Sequence, residues 1–180
     1  MKITLIYPGI AQIGFRSFGR GTPTSNLMSL GLGYIVASIK KNTKHEVDVI
    51  DLRKLNGWDD FSRELGDRAC DIVGIYTNTV NFEYAMKCAE LASKMGKTVI
   101  AGGPHATLDP QELIDTGHVD HVITGEAELT IVDVLERLDR GLAVDKITQG
   151  QPVENLDELP FPDRDLFGLE KRLNLPGIFP

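Results

Sequence analysis

Short runs of β-branched and other apolar residues alternate along this chain with segments whose apolar residues recur at helical spacing. A short apolar run predicts a strand that is buried on both faces, and a repeat of three to four residues predicts a helix with one apolar face. The runs that fit the strand pattern are Lys2–Tyr7, Glu46–Asp51, Asp71–Tyr76, Lys97–Ala101 and Val119–Thr124. This alternation predicts a parallel sheet that is covered by helices on both faces.

The number and order of these elements predict the fold class. We expect an α/β domain with a flavodoxin-like, doubly wound, parallel five-stranded sheet in the order 2-1-3-4-5. The domain is predicted to span residues 1–148, because the strand and helix patterns fade beyond that point. Residues 149–180 contain several prolines between acidic residues and predict a linker or an extended arm rather than core.

Charge and hydropathy exclude several classes of partner. The chain has 19 basic and 26 acidic side chains, so its net charge is −7, which argues against nucleic acid as a main partner. No apolar stretch approaches the roughly 20 residues that a membrane-spanning helix needs. The N-terminal apolar run is too short for a signal peptide, and Cys70 and Cys88 have no Cys-x-x-Cys partner. These features predict a cytoplasmic protein whose two thiols are reduced and buried.

The candidate functional residues all follow strands. The carboxyl ends of parallel strands meet at one edge of the sheet, and ligands bind there. The loops at that edge are the long segment 8–26, Thr77-Asn78-Thr79, Gly102-Gly103-Pro104-His105 and Gly125-Glu126-Ala127-Glu128. Glycines, hydroxyl groups and helix N-termini favour a binding rim for a large ligand, although the same residues could simply turn the chain. We expect segment 8–26 to be largely mobile.

Two side chains of this edge allow more than one interpretation. His105 could ligate a metal or act as a base, or it could hydrogen-bond its own loop in place, and the absence of a spaced partner favours the last role. Glu126 could complement the positive N-terminus of a following helix, or it could accept hydrogen bonds from an amide-rich ligand. Asp109, Pro110 and Glu112 form a predicted helix start, with Asp109 as the N-cap.

Several nucleotide and hydrolase motifs are absent from the sequence. It contains no Gly-x-x-x-x-Gly-Lys-Ser/Thr, no Gly-x-Gly-x-x-Gly after the first strand and no Gly-x-Ser-x-Gly. The first strand ends in Tyr7-Pro8 rather than in the acidic residues of a phosphoacceptor domain. A small nucleotide-binding enzyme therefore has little support.

Four segments, in order, resemble the cobalamin-binding domain that precedes the catalytic barrel in cobalamin-dependent radical S-adenosylmethionine enzymes. They are Ser29–Ile35, Asp71–Ile75 with Thr77 and Thr79, Gly102–Thr107, and Val122–Glu128. Residues Leu156–Arg164 also resemble the linker that leads into the barrel in that family. The resemblance covers nearly the whole chain.

The resemblance implies that cobalamin lies over the carboxyl edge of the sheet. Gly102 and Gly103, with Pro104 and His105 after them, would leave space for the nucleotide tail. Thr77 and Thr79, on either side of Asn78, would hydrogen-bond that tail. Gly31 and Gly33 would let the first helix lie close, and the rim that includes Gly125 and Glu126 would contact the amide side chains of the corrin. The implied partner is a C-terminal radical S-adenosylmethionine barrel in the same polypeptide.

The sequence departs from related cobalamin proteins at two points. The Asp-x-His-x-x-Gly motif, whose histidine replaces the lower ligand of cobalt, is absent after the first strand, so we expect a base-off cofactor without a histidine ligand. No Cys-x3-Cys-x2-Cys motif is present, so the iron–sulfur cluster and S-adenosylmethionine would belong to another domain. The expected function is cobalamin binding within a larger enzyme of methyl transfer or radical rearrangement. The alternative is a cofactor-free interaction or regulatory module.

Overall fold

The computed structural model describes residues 1–9, 13–15 and 29–165 of the chain. Within them, six parallel strands form one sheet. The strands are β1 (Lys2–Tyr7), β2 (Glu46–Asp51), β3 (Ile72–Tyr76), β4 (Thr98–Gly102), β5 (His121–Thr124) and β6 (Ile147–Gln149). They lie in the order β2-β1-β3-β4-β5-β6. The predicted strands and their order are therefore confirmed.

Helices connect the strands and cover the sheet. They are α1 (Leu30–Asn42), α2 (Trp58–Asp67), α3 (Phe82–Lys94), α4 (Pro104–Leu108), α5 (Pro110–Asp115) and α6 (Thr130–Asp139). Their apolar faces divide the core into two clusters. One cluster contains side chains of α2, α3 and α5, and the other contains side chains of α1 and α6. The doubly wound arrangement is thus confirmed, with helices on both faces.

The expectation of five strands is wrong, because β6 adds a sixth strand at the edge of the sheet. β6 pairs with β5 in parallel, with Val122 opposite Ile147 and Thr124 opposite Gln149. It is only three residues long and largely exposed, so it has none of the apolar pattern by which the other strands are predicted. Backbone pairing with β5, rather than burial of side chains, makes it a strand.

Two helix boundaries differ from the sequence pattern, which predicts a turn after the Gly102-Gly103 pair and a last helix that begins at Gly125-Glu126. The segment between the Gly102-Gly103 pair and Asp109 is a short helix, α4, with Pro104 at its first position. The predicted helix start at Asp109 is confirmed, because the Asp109 side chain accepts a hydrogen bond of 3.1 Å from the Glu112 N–H. The last helix begins at Thr130, so Gly125 and Glu126 lie in the loop before it.

Residues 150–165 lie against the domain as an arm. The Gly150 and Gln151 N–H groups donate to the Thr124 carbonyl and the Thr130 hydroxyl at the start of the arm. Near its end, the Asp163 N–H donates to the Gly33 carbonyl of α1 at 3.0 Å, and the Asp163 carboxylate pairs with Lys40 at 2.6 Å. The proposed division of the chain at residue 148 stays a prediction.

Within the long segment 8–26, the structure describes residues 8–9 and 13–15. Phe15 is buried and packs edge-on against Trp58 at 4.8 Å between ring centroids, and the Gly14 N–H donates to the Pro8 carbonyl. The expected mobility of segment 8–26 otherwise concerns residues outside the described part. None of the described helices is long and apolar enough to cross a membrane.

The buried cysteines give a first prediction. Cys88 is completely buried and Cys70 almost completely, as the sequence predicts, and burial raises the pKa of the Cys88 thiol. The thiolate is the reactive form, so both cysteines should resist alkylation by N-ethylmaleimide in the native chain and react rapidly in denaturant. Mass spectrometry after timed labelling measures this. Native-state labelling of Cys88 at the rate of a free thiol would contradict the packing around α3.

Candidate functional site

The loops that follow β3, β4, β5 and β6 meet at one edge of the sheet because all six strands are parallel. We call this edge the rim, and define it as residues 77–81, 102–107, 124–128 and 149–150. The sequence-predicted residues of these loops are therefore brought together. Gly31 and Gly33 lie in the first turn of α1, which packs with α6 against one face of the sheet.

Thr77 joins the loops after β3 and β4. Its N–H and its hydroxyl both donate to the Gly102 carbonyl, at 2.7 and 3.0 Å, and its carbonyl accepts from the His105 N–H. Thr77 is completely buried, so its hydroxyl is committed to this contact. The side chain expected from the resemblance to bond a ligand therefore holds two rim loops together in this structure.

The two central glycines differ in what surrounds them. Gly103 has φ +113°, and a Cβ built there would lie 2.5 Å from the Thr77 carbonyl oxygen, so the backbone requires glycine at this position. Among the described residues, a Cβ at Gly102 would meet only the Ile123 carbonyl oxygen, at 3.6 Å, which is an ordinary contact. The contacts around Gly103 therefore require glycine at that position, whereas the described contacts around Gly102 do not. Glycine at position 31 is likewise not required by the described part of the chain, since a Cβ there would meet none of its atoms within 4 Å.

Asn78 and Asn81 shape the β3–α3 loop. The Asn78 N–H donates to the Asn81 side chain at 2.9 Å, and the Asn81 N–H donates back to Asn78 at 2.7 Å. The Asn81 amide also donates to the Gly9 carbonyl and so ties this loop to the one after β1. Sequence reasoning missed Asn81. Its position just before an apolar helical repeat is the signal that could have found it.

His105 is buried and uses both ring nitrogens. Nδ1 lies 3.2 Å from the Thr79 hydroxyl, and Nε2 lies 2.9 Å from a Glu112 carboxylate oxygen. The Phe82 ring packs against the imidazole at 4.7 Å between centroids. These contacts favour the role of holding loops over that of a metal ligand. Among the described residues, no group of three or more His, Cys, Asp or Glu side chains could hold a metal ion.

The loop after β5 connects the rim to the arm. The Gly125 N–H donates to the Thr107 hydroxyl at 2.8 Å. The Glu126 carboxylate accepts from the Val153 N–H of the arm at 2.8 Å, so Glu126 lies too early to cap α6 and instead fastens the arm. A Cβ at Gly150 would collide with the carbonyl oxygens of Thr124 and Glu126, which makes Gly150 a structural requirement that the sequence does not reveal.

One carboxylate oxygen of this loop lacks a protein partner. Glu128 Oε2 is buried and accepts no hydrogen bond within the described part of the chain. A buried acceptor of this kind costs free energy unless a donor reaches it, so it is a candidate for contact with a bound group. The sequence indicates only that Glu128 suits a helix N-terminus.

A buried ion pair lies at the carboxyl end of β2, beside the end of β1. Arg53 donates from Nε and Nη2 to the two oxygens of Asp51, both at 2.8 Å, and its guanidinium carbon lies 4.7 Å from the centre of the Tyr7 ring. Burial raises the pKa of Tyr7. The Tyr76 ring stands beside Tyr7 at 5.8 Å. Sequence reasoning also missed this cluster, because its members belong to three separate strand ends.

Large apolar side chains are exposed at the rim and next to it. Val80 in the loop after β3, Leu108 at the end of α4 and Leu129 just before α6 are 71%, 76% and 44% exposed, and Leu30 at the start of α1 is 58% exposed. Two grooves in the described part of the chain lie elsewhere, one between α1 and the arm and one beside β2. Exposed apolar groups, polar acceptors and backbone thus lie together at and beside the described rim.

Residues 17–135, well over half of the chain, match the model of the family described as B12 binding domain. The chain belongs to the B12-binding domain family. The resemblance to cobalamin-binding domains drawn from the sequence is confirmed by this match. The alternation of strands and helices and the glycine loops at one sheet edge are thus those of a B12-binding domain.

Two curated relatives of this B12-binding domain are methyltransferases. An uncharacterized methyltransferase of Pyrococcus horikoshii is 28% identical over 189 aligned positions, which cover 95% of this chain and 40% of the relative. Cytidylyl-2-hydroxyethylphosphonate methyltransferase of Streptomyces wedmorensis is 29% identical over 140 positions, covering 66% of this chain and 26% of the relative. The chain therefore spans less than half the length of these relatives.

Solved structures of radical enzymes share the fold. The cobalamin-dependent S-adenosylmethionine radical enzyme OxsB, solved with aqua-cobalamin bound, superposes with a TM-score of 0.70 at 17% identity, over 95% of this chain and 25% of OxsB. The radical S-adenosylmethionine methyltransferase TsrM of Kitasatospora setae, solved with cobalamin and a [4Fe-4S] cluster, gives 0.62 at 13% identity, over 92% and 32%. This B12-binding domain thus has the architecture of one part of much longer chains.

Proposed function

We propose that this chain binds cobalamin across the rim and carries it within a larger radical S-adenosylmethionine enzyme. Membership of the B12-binding domain family and the fold shared with cobalamin-bound enzymes support the cofactor. The observation that carries the proposal is Gly102, an open backbone position at the end of the central strand β4, where neighbouring protein atoms do not require glycine. A bound ligand that lies against the strand end supplies the missing reason.

The chemistry of the rim suits a large amide-bearing ligand with an apolar body. Exposed Val80, Leu108 and Leu129 offer apolar contact, and the unpartnered oxygen of Glu128 offers an acceptor for an amide N–H. Gly31 leaves open space at the first turn of α1. In this proposal Gly102, Gly31, Thr79 and Glu128 face the cofactor, while Thr77, Gly103 and Gly125 hold the loops that present them.

The contacts of His105 at the rim limit its use as the lower ligand of cobalt. Both ring nitrogens of His105 contact protein groups, so His105 would have to break a hydrogen bond in order to coordinate cobalt. We therefore propose base-off binding without a histidine ligand from the described rim. Bound cobalamin would supply methyl-transfer or radical chemistry, and the methyltransferase relatives favour methyl transfer.

The iron–sulfur cluster and S-adenosylmethionine belong, in this proposal, to a C-terminal barrel of the same polypeptide. The two cysteines of this sequence are both buried in the domain and cannot supply a three-cysteine cluster site. The arm, which fastens to Glu126 and to α1, would lead toward that barrel. The buried thiols are in keeping with a cytoplasmic location.

A cobalamin titration with a matched pair of glycine variants tests the proposal. Hydroxocobalamin should co-elute with the wild-type chain in gel filtration at one equivalent, and the bound cofactor should be visible in the absorption spectrum. Gly102→Ala should stay folded, because its methyl group fits the protein, yet lose about tenfold or more in affinity, since overpacking against a ligand typically costs about 1–3 kcal/mol.

Gly66→Ala is the control for that titration, because Gly66 lies in α2 and a Cβ there would meet no atom within 4 Å. Its affinity for hydroxocobalamin should equal that of the wild type. Wild-type affinity in Gly102→Ala would show that the cofactor does not lie against the end of β4. Failure of the wild-type chain to retain any cobalamin would favour the cofactor-free interaction module.

A further inference from the structure

Three side chains form a hydrogen-bonded series that ends at the rim. Glu112 of α5 contacts His105 Nε2 at 2.9 Å, and His105 Nδ1 contacts the Thr79 hydroxyl at 3.2 Å. The His105 side chain is 7% exposed, whereas Glu112 is half exposed and Thr79 is exposed at the rim. The series therefore runs from one surface, through a buried imidazole, to the surface where the proposed ligand lies.

For a neutral His105, the position of the single ring hydrogen follows from what each partner can donate. A carboxylate can only accept, so the hydrogen between Glu112 and His105 belongs to Nε2. A neutral imidazole with a hydrogen on Nε2 has an unprotonated Nδ1, which can only accept. Thr79 must then donate its hydroxyl hydrogen to Nδ1, and only the lone pairs of its oxygen remain for other partners.

We propose that Glu112 and His105 are positioning residues that fix the Thr79 hydroxyl as a hydrogen-bond acceptor for an amide N–H of the bound ligand. This inference rests on the proposed cobalamin function, since the corrin periphery carries such amides. A free threonine hydroxyl can donate or accept and would not select between amide N–H and carbonyl groups. Thr79 fixed in this way accepts only, so the rim recognises N–H groups at this point.

A comparison with Thr77 shows why the ligand contact is assigned to Thr79. The Thr77 hydroxyl donates to the Gly102 carbonyl and is completely buried, so it is closed to a ligand whatever the state of His105. Thr79 is exposed, and its hydrogen-bond partner among the described residues is a side chain that a second side chain orients. Glu112 thus acts on the ligand only through His105 and Thr79.

The first test is the tautomer of His105 in the chain without ligand. Long-range ¹H–¹⁵N NMR spectra should show His105 with its hydrogen on Nε2 and an unprotonated Nδ1 at neutral pH. In Glu112→Ala the single tautomer should give way to a mixture, because the acceptor for Nε2–H is gone. A hydrogen on Nδ1 in the wild type would overturn the proposal, independently of any cofactor.

The second test is a double-mutant cycle read by hydroxocobalamin affinity. Thr79→Val and Glu112→Ala should each lower the affinity by about 3- to 10-fold, the range expected for one hydrogen bond, and Thr79→Ser should restore it. The double variant should bind no more weakly than Thr79→Val alone, because Glu112 has no effect without the hydroxyl. Asp115→Ala removes another carboxylate from α5 and should bind like the wild type.

The outcomes separate this inference from the proposed function. Two outcomes would overturn the role of Thr79 and leave the proposed cobalamin binding intact. One is an additive loss of affinity in the double variant, and the other is unchanged affinity in Thr79→Val while the wild type binds cobalamin. Failure of the wild-type chain to bind hydroxocobalamin would overturn both the proposed function and the ligand contact of Thr79.

Discussion

Replacement of Gly103 by alanine is expected to destabilise the domain by about 2–5 kcal/mol, a large part of the stability of a typical domain. The backbone at Gly103 has φ +113°, which an L-residue rarely adopts. The new methyl carbon would also lie 2.5 Å from the Thr77 carbonyl oxygen and 3.1 Å from the Thr77 nitrogen. Both neighbours are backbone atoms that other hydrogen bonds hold in place, so they cannot move aside cheaply.

Urea unfolding followed by circular dichroism measures this change, and Gly102→Ala is the control. The two glycines are adjacent, but the methyl group of Gly102→Ala lies at an ordinary distance from its nearest neighbour. We therefore expect Gly102→Ala to unfold close to the wild-type midpoint, while Gly103→Ala unfolds at a clearly lower urea concentration. Equal midpoints for the two variants would show that the loops after β3 and β4 can separate without cost.

Removal of the Asp51 carboxylate is the second substitution with a large expected effect. Asp51→Ala takes away the acceptor of two hydrogen bonds from the buried Arg53 guanidinium and of a third from the Arg53 N–H. Loss of one partner of a buried ion pair typically costs about 3–5 kcal/mol, because the buried guanidinium gives up these charge-assisted hydrogen bonds. Burial by itself lowers the pKa of Arg53, but the hydrogen bonds and the charge of Asp51, together with Tyr7, outweigh it, so the pKa is raised and the guanidinium stays charged.

The comparison for Asp51→Ala is Asp60→Ala, which removes a partly exposed carboxylate that accepts hydrogen bonds from Asn56 and Arg63. The Arg63 side chain is 68% exposed, so water solvates the cation that loses its partner, and the thermal midpoint should shift far less than in Asp51→Ala. Differential scanning calorimetry of the two variants gives the contrast directly. Similar shifts in both would mean that water reaches Arg53 and that the cluster beside Tyr7 is not sealed.

The sequence predicts where the candidate site lies, but not which residues contact one another within it. Strand ends, glycine pairs and a helix cap are local features, and they are enough to locate the loops of the rim. The contacts within the rim join residues that are far apart in the sequence. Thr77, which the resemblance assigns to a ligand, donates to the Gly102 carbonyl, and one oxygen of Glu128, which suits a helix N-terminus, has no hydrogen-bond partner among the described residues.

The sequence by itself determined the alternation of strands and helices, the strand order through β5 and the helix start at Asp109, because each depends on residues that are neighbours in the chain. Periodicity of apolar residues reports burial, and burial defines the strands and the helix faces. Membership of the cobalamin-binding family is visible in the sequence for the same reason, since its four segments are short and contiguous.

Only the tertiary structure decided how distant segments bond to one another. β6 has no apolar pattern and becomes a strand by pairing with β5. Gly103 must be glycine because Thr77 approaches it from another loop, and His105 is oriented by Thr79 and Glu112 from two other elements. Such contacts depend on the register and spacing of whole strands, and no local pattern in the chain encodes that geometry.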